Sequence, residues 1–153
     1  MKMINHMSVR FDAKSVNESL ARMTVAAFMM DMNPTLDELE DVKTAVSEAV
    51  TNAIIHGYGN HTSKEAWDEI PAVELQCARE GVKLEICIID HGIGIEDIEK
   101  AKQPFYTTKP DMERSGMGFV FMETFMDCLE VESKTGEGTK VTMIKYIAGE
   151  REQ

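Results

Sequence analysis

The sequence has few cysteines, and their number and spacing exclude the common cysteine frameworks. Cys77, Cys87 and Cys128 are an odd set of three without the spacing of a metal-binding motif. The pattern predicts buried, reduced thiols. Because only four scattered histidines could supplement them as soft ligands, the sequence also argues against a structural zinc site.

Clustered positive charge and long apolar runs are missing as well. The chain has 16 Lys and Arg residues against 27 Asp and Glu residues, a formal net charge of -11, and no basic cluster that would hold a phosphate backbone. No apolar run approaches the roughly 20 residues that span a bilayer, and residues 1–6 lack the apolar segment of a signal peptide. The sequence therefore predicts a cytoplasmic protein that contacts neither nucleic acid nor membrane directly.

Two helices are predicted in the first half of the chain. Capping-box patterns at Ser15–Glu18 and Thr35–Glu38 open them, the first running to about Met30 and the second ending at Gly57. Apolar residues at helical spacing support both helices, and in the second they form one apolar stripe. These residues are Val16, Leu20, Met23, Ala27 and Met30 in the first helix, and Leu39, Val42, Val46, Ala49, Val50 and Ala53 in the second.

Alternating apolar residues predict strands on either side of these helices. The predicted strands cover residues 7–11, 73–77, 82–88, 129–133 and 139–147, with a hairpin turn at 79–81. A polar loop at 59–71 and a buried helix over 118–128 complete the pattern. A chain of 153 residues predicts one domain, 1–153, and the mixture of elements favours an α+β fold with helices on one face of a mostly antiparallel sheet.

Glu48 and Asn52 are the first residues that predict chemistry. At about 100° per residue they lie roughly 40° apart on the second helix, away from its apolar stripe. An amide oxygen is a ligand that Mg²⁺ accepts, and a carboxylate one turn away is able to take a proton from an attacking hydroxyl. Taken alone, such a pair more often marks an ordinary solvated helix face.

Three glycine-containing turns follow. Asp90-His91-Gly92-Ile93-Gly94 comes directly after a strand, where a carboxylate could accept a hydrogen bond from an amine such as that of adenine. Ser115-Gly116-Met117-Gly118 precedes a helix, which is an arrangement that binds polyphosphate, and Arg114 stands beside it. Gly138-Thr139 places a hydroxyl at the base of a strand. Each turn alone is a weak signal, and a purely structural role is the alternative for each.

Together, and in this order, the segments resemble the GHKL superfamily of ATPases and kinases. Glu48-x-x-x-Asn52 resembles its N box, and the three turns resemble its glycine boxes. This resemblance implies a two-layer α/β sandwich of the Bergerat type, with ATP and Mg²⁺ bound under a lid at about residues 96–117. It further implies that Asn52 ligates Mg²⁺, that Glu48 is the general base, and that Asp90 recognises the adenine amine with Thr139 nearby.

The lid would supply further nucleotide contacts. The resemblance assigns Arg114 both a catalytic and a phosphate-binding role. It also implies nucleotide contacts for Gly92, Gly94, Thr107, Thr108, Lys109, Ser115, Gly116, Met117 and Gly118.

Within the superfamily, residues 47–58 and 103–119 are similar to a branch of anti-sigma factors that act in sporulation and are serine kinases. The similarity extends to Asn17-Glu18-Ser19 and Ala21-Arg22. It implies a homodimer that holds a sigma factor of the sigma-F type and phosphorylates a serine of an anti-anti-sigma protein. Arg22 matches a position that contacts protein partners in that branch.

Several alternatives fit the same residues. One is a stress-response anti-sigma kinase, and another is a module that sequesters a sigma factor in a nucleotide-dependent way without significant kinase activity. A detached histidine-kinase domain is disfavoured, because none of the four histidines lies in a second helical domain. A topoisomerase or chaperone fragment is disfavoured because there is no room for a transducer domain.

Overall fold

The structure is a computed structural model that describes residues 3–59, 71–104 and 117–149. Its strands are β1 (Ile4–Asp12), β2 (Ala72–Glu80), β3 (Lys83–Asp90), β4 (Cys128–Lys134) and β5 (Gly138–Tyr146). Its helices are α1 (Asn17–Met29), α2 (Leu36–Asn52), the short α3 (Ile98–Ala101) and α4 (Gly118–Phe125). A 3-10 turn (Met30–Met32) follows α1, and a π turn (Ala53–Gly57) follows α2.

The strands form one sheet in the order β1-β2-β3-β5-β4, and each neighbouring pair is antiparallel. Alternate residues of the central strands, such as Leu75, Ile86 and Met143, are fully buried against the helices. Their neighbours on the other face, such as Gln76 and Glu85, are half-buried. These features confirm the predicted α+β fold with helices on one face of the sheet.

The predicted capping box at Ser15 is wrong. Helix α1 begins one residue after Val16, which receives no side-chain cap. A turn precedes the helix, and its carbonyls already accept the first amides, with Asn17 N donating to Lys14 O at 2.9 Å and Glu18 N to Ser15 O at 3.2 Å. Since those donors are satisfied by backbone, the Ser15 hydroxyl has no capping role.

The apolar residues whose spacing predicted α1 do not face the core. Val16, Leu20, Met23 and Met30 are 75, 49, 58 and 50% exposed, and Ala27 is exposed as well. The helix instead buries Ala21, Val25, Ala26 and Met29. Helix α1 therefore carries a second apolar stripe that no part of the chain described by the structure covers.

The cap of helix α2 is as predicted, and its predicted apolar stripe faces the core. Thr35 Oγ1 accepts from Glu38 N at 3.1 Å while Glu38 Oε1 accepts from Thr35 N at 2.9 Å. Of the predicted stripe, Leu39 is half-buried and the other five residues are buried. The same Glu38 carboxylate also accepts from Ala148 N at 2.7 Å and from Gly149 N at 3.1 Å, so it fastens the end of the described chain to α2.

Helix α4 ends at Phe125, three residues before the predicted end, because Cys128 already pairs in the sheet. Lys145 on β5 holds its last turn by donating to Phe125 O at 2.6 Å. Cys77 and Cys87 are buried free thiols as predicted, whereas Cys128 is exposed on the edge strand, contrary to prediction. Among the described residues, no helix is long and apolar enough to cross a membrane.

Candidate functional site

A cavity of about 930 Å³ opens between the end of α2, the end of β3 and the start of α4. Asn52 and His56 line it from the helical layer, and Asp90 and Thr139 line it from the sheet. The segment 93–101, including α3, forms a further wall. Five of the residues predicted to bind nucleotide therefore lie around this cavity, namely Asn52, Asp90, Gly94, Gly118 and Thr139.

Glu48 and Asn52 meet the first residue of α4. A β-carbon built on Gly118 would lie 2.9 Å from Asn52 Nδ2, 3.2 Å from Asn52 Oδ1 and 3.3 Å from Glu48 Oε2. Because residue 118 is glycine, the helix N-terminus approaches both side chains without displacing them. A carboxylate and an amide oxygen, one turn apart, stand beside the positive end of a helix dipole.

Asp90 is 5% exposed at the end of β3. Its Oδ1 accepts from Gly92 N at 3.0 Å, and the nearby Thr139 amide also favours the ionised carboxylate, as those hydrogen bonds lower its pKa. Burial outweighs these hydrogen bonds and raises the pKa of Asp90 to about 6. A buried carboxylate with a remaining lone pair toward a cavity is a strong acceptor for an amine donor.

The glycine turn after Asp90 packs directly on the backbone of the π turn. Ile93 N donates to Gly57 O at 2.9 Å, and a β-carbon on Gly92 would lie only 1.8 Å from that same oxygen. Gly94 has a φ of +78°, and a β-carbon there would lie 2.4 Å from Lys134 O. These two glycines are therefore required by close approach and, at Gly94, by backbone conformation.

Thr139 lies opposite Asp90 in the β3–β5 register and is 8% exposed. The Thr139 hydroxyl lies 2.8 Å from the Ser133 hydroxyl. Ser133 Oγ accepts from Ile95 N at 2.7 Å and lies 3.0 Å from Gly138 O. Ser133 thereby ties the segment after the glycine turn to the β4–β5 hairpin.

Sequence reasoning missed three residues that shape this site. The sequence places Ser133 in a predicted strand and Gly57 at the end of a predicted helix. Tyr58 lies within the stretch 47–58 that resembles the anti-sigma branch, and no role at the site is predicted for it. Tyr58 is buried, and its hydroxyl donates to the Ala72 carbonyl and accepts from the His91 amide. A tyrosine immediately after a helix-stopping glycine was the available signal.

The remaining predicted residues do not all join the cavity. Arg22 lies on α1, where it pairs with Glu18 at 3.9 Å, and it does not line the cavity. Met117 is the residue before α4. The predicted residues Thr107, Thr108, Lys109, Arg114, Ser115 and Gly116 lie outside the residues that the structure describes.

A metal ion at this site would depend on few protein ligands. Among the described residues no three His, Cys, Asp or Glu side chains are grouped to hold a metal. The oxygen of Asn52, with the Glu48 carboxylate beside it, fits a hard cation that takes most of its ligands from water and phosphate.

Comparisons with known proteins agree with this geometry. Residues 11–145 match the family described as the histidine kinase-like ATPase domain. An anti-sigma F factor of Clostridium beijerinckii is 55% identical over 141 residues, which are 92% of this chain and 94% of that protein. The anti-sigma F factor of Thermoanaerobacter sp. (strain X514) is 52% identical over 151 residues, or 99% of this chain and all of that protein.

The chain belongs to the anti-sigma F factor family. Its domain is a histidine kinase-like ATPase domain, a nucleotide-binding fold. Part of a structure of the RsbU and RsbW domains of a Mycobacterium tuberculosis protein has the same fold, with a TM-score of 0.65 over 94% of this chain and 32% of that one. At 16% identity that likeness concerns the fold alone.

Proposed function

We propose that this anti-sigma factor binds ATP with Mg²⁺, holds a sigma factor of the sigma-F type and phosphorylates a serine of an anti-anti-sigma protein. The observation that carries the proposal is the meeting of Glu48, Asn52 and Gly118 beside the cavity. A protein that only bound nucleotide would have no use for a carboxylate at this point, whereas a kinase needs a proton acceptor there.

The adenine end of the nucleotide would lie at the sheet. In this proposal the Asp90 carboxylate accepts a hydrogen bond from the exocyclic amine, with Thr139 beside it and the backbone of Gly92 and Gly94 close to the base. Burial of Asp90 supports this role, because an acceptor shielded from water discriminates strongly between a ligand that has the donor and one that lacks it.

The phosphate end would lie at the start of α4. Asn52 would be the protein ligand of Mg²⁺, which when bound neutralises charge on the phosphates. The amides at Met117 and Gly118 open a helix whose dipole favours anions. From the family resemblance we also assign phosphate contacts to Arg114, Ser115 and Gly116, and lid contacts to Thr107, Thr108 and Lys109.

Glu48 would act on the acceptor serine. Its carboxylate takes the hydroxyl proton as the serine oxygen bonds to the γ-phosphorus, and the bond from that phosphorus to the bridging oxygen breaks to leave ADP. Such a transfer relies mainly on position and charge neutralisation, both of which this end of the cavity supplies.

The partner surface would lie on α1. Arg22 is the predicted partner contact, and the exposed apolar stripe of Val16, Leu20, Met23, Ala27 and Met30 is the surface on which we place a second copy of the chain. A contiguous apolar stripe on an amphipathic helix is typical of an interface. We place the protein in the cytoplasm, where a sigma factor would be held.

The decisive experiment is transfer of labelled phosphate from Mg-ATP to a purified anti-anti-sigma protein. Wild type is compared with Glu48→Gln and with Glu40→Gln, a matched change at an exposed glutamate on the same helix that pairs with Lys43 on the surface. We expect acid-stable phosphoserine with wild type and Glu40→Gln, and a loss of at least about 100-fold with Glu48→Gln.

Two other results would change the proposal. Tight ATP binding without transfer by wild type would leave sequestration of the sigma factor as the whole function. Transfer by Glu48→Gln at the wild-type rate would remove Glu48 as the base while leaving the kinase itself intact.

A further inference from the structure

The Tyr58 hydroxyl joins two separate stretches of backbone beneath the cavity. It donates to Ala72 O at 2.7 Å, at the start of β2, and accepts from His91 N at 2.8 Å, in the glycine turn. The side chain as a whole is only 3% exposed. Both backbone groups would lack this partner without the hydroxyl, and water is excluded from the ring that carries it.

The peptide that Tyr58 holds is the one that joins Asp90 to His91. Because the hydroxyl holds the N–H of this peptide, it sets the direction in which the chain leaves Asp90. It thereby also sets the position of the next amide, Gly92 N, which donates to Asp90 Oδ1 at 3.0 Å. The preceding residue, Gly57, contacts the glycine turn two residues further on, through its carbonyl and Ile93 N at 2.9 Å. Gly57 and Tyr58, at and just after the end of the π turn, therefore accept hydrogen bonds from two amides of the glycine turn, those of Ile93 and His91.

Asp90 is confined by the same pair of residues. A β-carbon built on Gly57 would stand 2.7 Å from Asp90 Oδ1, and the Tyr58 hydroxyl anchors the peptide that follows Asp90. A carboxylate that must meet one amine of a flat ring depends on such confinement, since a displacement of about 1 Å is enough to spoil a hydrogen bond.

We propose that Tyr58 is a positioning residue that sets the orientation of Asp90 and thereby determines how strongly the site selects for the 6-amino group of adenine. This inference rests on the proposed role of Asp90 as the adenine acceptor. Tyr58 itself touches no substrate in this scheme and acts only through the Asp90–Gly92 turn.

Tyr58→Phe isolates the hydroxyl, because phenylalanine keeps the buried ring and its packing. We measure the Kd of the full-length protein for ATP and for purine riboside triphosphate, which lacks the 6-amino group, and express selectivity as the ratio of the two. Loss of a buried hydrogen bond to backbone corresponds to roughly a tenfold effect. We expect ATP affinity to fall about tenfold and affinity for the analogue to change little, so that selectivity collapses.

Three controls separate positioning from general stability. Tyr146→Phe removes a hydroxyl from an exposed tyrosine at the end of β5, and Ile86→Val weakens the core of the same sheet, so both should keep wild-type selectivity. In an Asp90→Asn background, Tyr58→Phe should have little further effect on ATP affinity, because residues that act through one another are not additive.

The outcomes distinguish this inference from the proposed function. If wild type shows no preference for ATP over the analogue, the role of Asp90 is wrong. If wild type shows the preference and Tyr58→Phe retains it, even with both affinities reduced, Tyr58 is only structural and the inference is overturned. Additive effects of Tyr58→Phe and Asp90→Asn on ATP affinity would overturn it as well.

Discussion

The α-carbon of Gly57 lies so close to Asp90 that a β-carbon built on it would stand 2.7 Å from Asp90 Oδ1. Residue 57 has no unusual backbone conformation, so an added methyl group would act through this contact alone. Because Gly92 N donates to the same oxygen, the carboxylate cannot move aside without weakening that hydrogen bond. The contact makes Gly57 part of the site, although the sequence marks it only as the end of a helix.

We therefore expect Gly57→Ala to displace the Asp90 carboxylate and to weaken ATP binding at least about tenfold. Isothermal titration of the variant with Mg-ATP measures this, and a thermal melt checks that the protein is folded. Affinity equal to wild type would show that the carboxylate tolerates the methyl group and that its position is not critical.

Binding of adenine nucleotide should depend on pH through Asp90. Its pKa is raised to about 6, and protonation removes the charge that makes the carboxylate a strong acceptor for the amine. Affinity for ATP should thus be constant above about pH 7 and fall by up to about tenfold per pH unit below 6. Titrations from pH 5 to 8 test this, with Asp90→Asn as the control that should bind weakly without that dependence.

Ionisation of Asp90 has the opposite effect on the stability of the nucleotide-free protein, because a lower pH weakens ATP binding but favours folding. Because the folded pKa of about 6 lies above the unfolded value of 3.8, Asp90 favours folding below about pH 3.8 and loses that contribution as the pH rises through 6. The loss is on the order of 3 kcal/mol at neutral pH. Asp90→Asn should accordingly keep or raise the melting temperature at pH 7.5 while it abolishes tight binding, and a lowered melting temperature would contradict this account.

Glu38 should stabilise the fold through four hydrogen bonds. Its carboxylate accepts three of them, and its own amide donates the fourth to Thr35 Oγ1. Burial alone would raise its pKa, but the amides of Thr35, Ala148 and Gly149 outweigh that effect, so the pKa is lowered from 4.5. This contribution is present above the unfolded pKa and disappears as the pH falls through the lowered folded value. In Glu38→Gln an uncharged side chain faces the same amides. We expect the free energy of unfolding to fall by about 1–2 kcal/mol at pH 7.

Chemical denaturation of Glu38→Gln at pH 7 and at pH 3 measures that contribution, and Glu40→Gln serves as the exposed control on the same helix. The difference between Glu38→Gln and wild type should shrink at the lower pH. An equal difference at both values would assign the effect to shape and not to charge.

The sequence predicted α2 and the neighbourhood of the site better than it predicted α1, for a physical reason. Helix α2 has one apolar stripe opposite a polar flank, so the pattern decides which face is buried. Helix α1 has two stripes, and periodicity cannot tell which of them meets the sheet. Gly57 and Tyr58 were missed because their contacts with Asp90 and His91 join residues more than 30 positions apart, which no local pattern encodes.

The uncovered stripe of α1 leads to the last prediction. If a second copy of the chain packs on it, a charge placed at its centre should separate the two copies, since a buried unpaired charge costs several kcal/mol. We expect Leu20→Glu to shift the protein from dimer to monomer in sedimentation equilibrium. Val82→Glu, at a more exposed apolar residue in the β2–β3 turn, should leave the dimer intact. Both variants should bind ATP like wild type, because neither residue lines the cavity. A Leu20→Glu protein that remains dimeric at micromolar concentration would place the dimer contact elsewhere and leave the stripe to another partner.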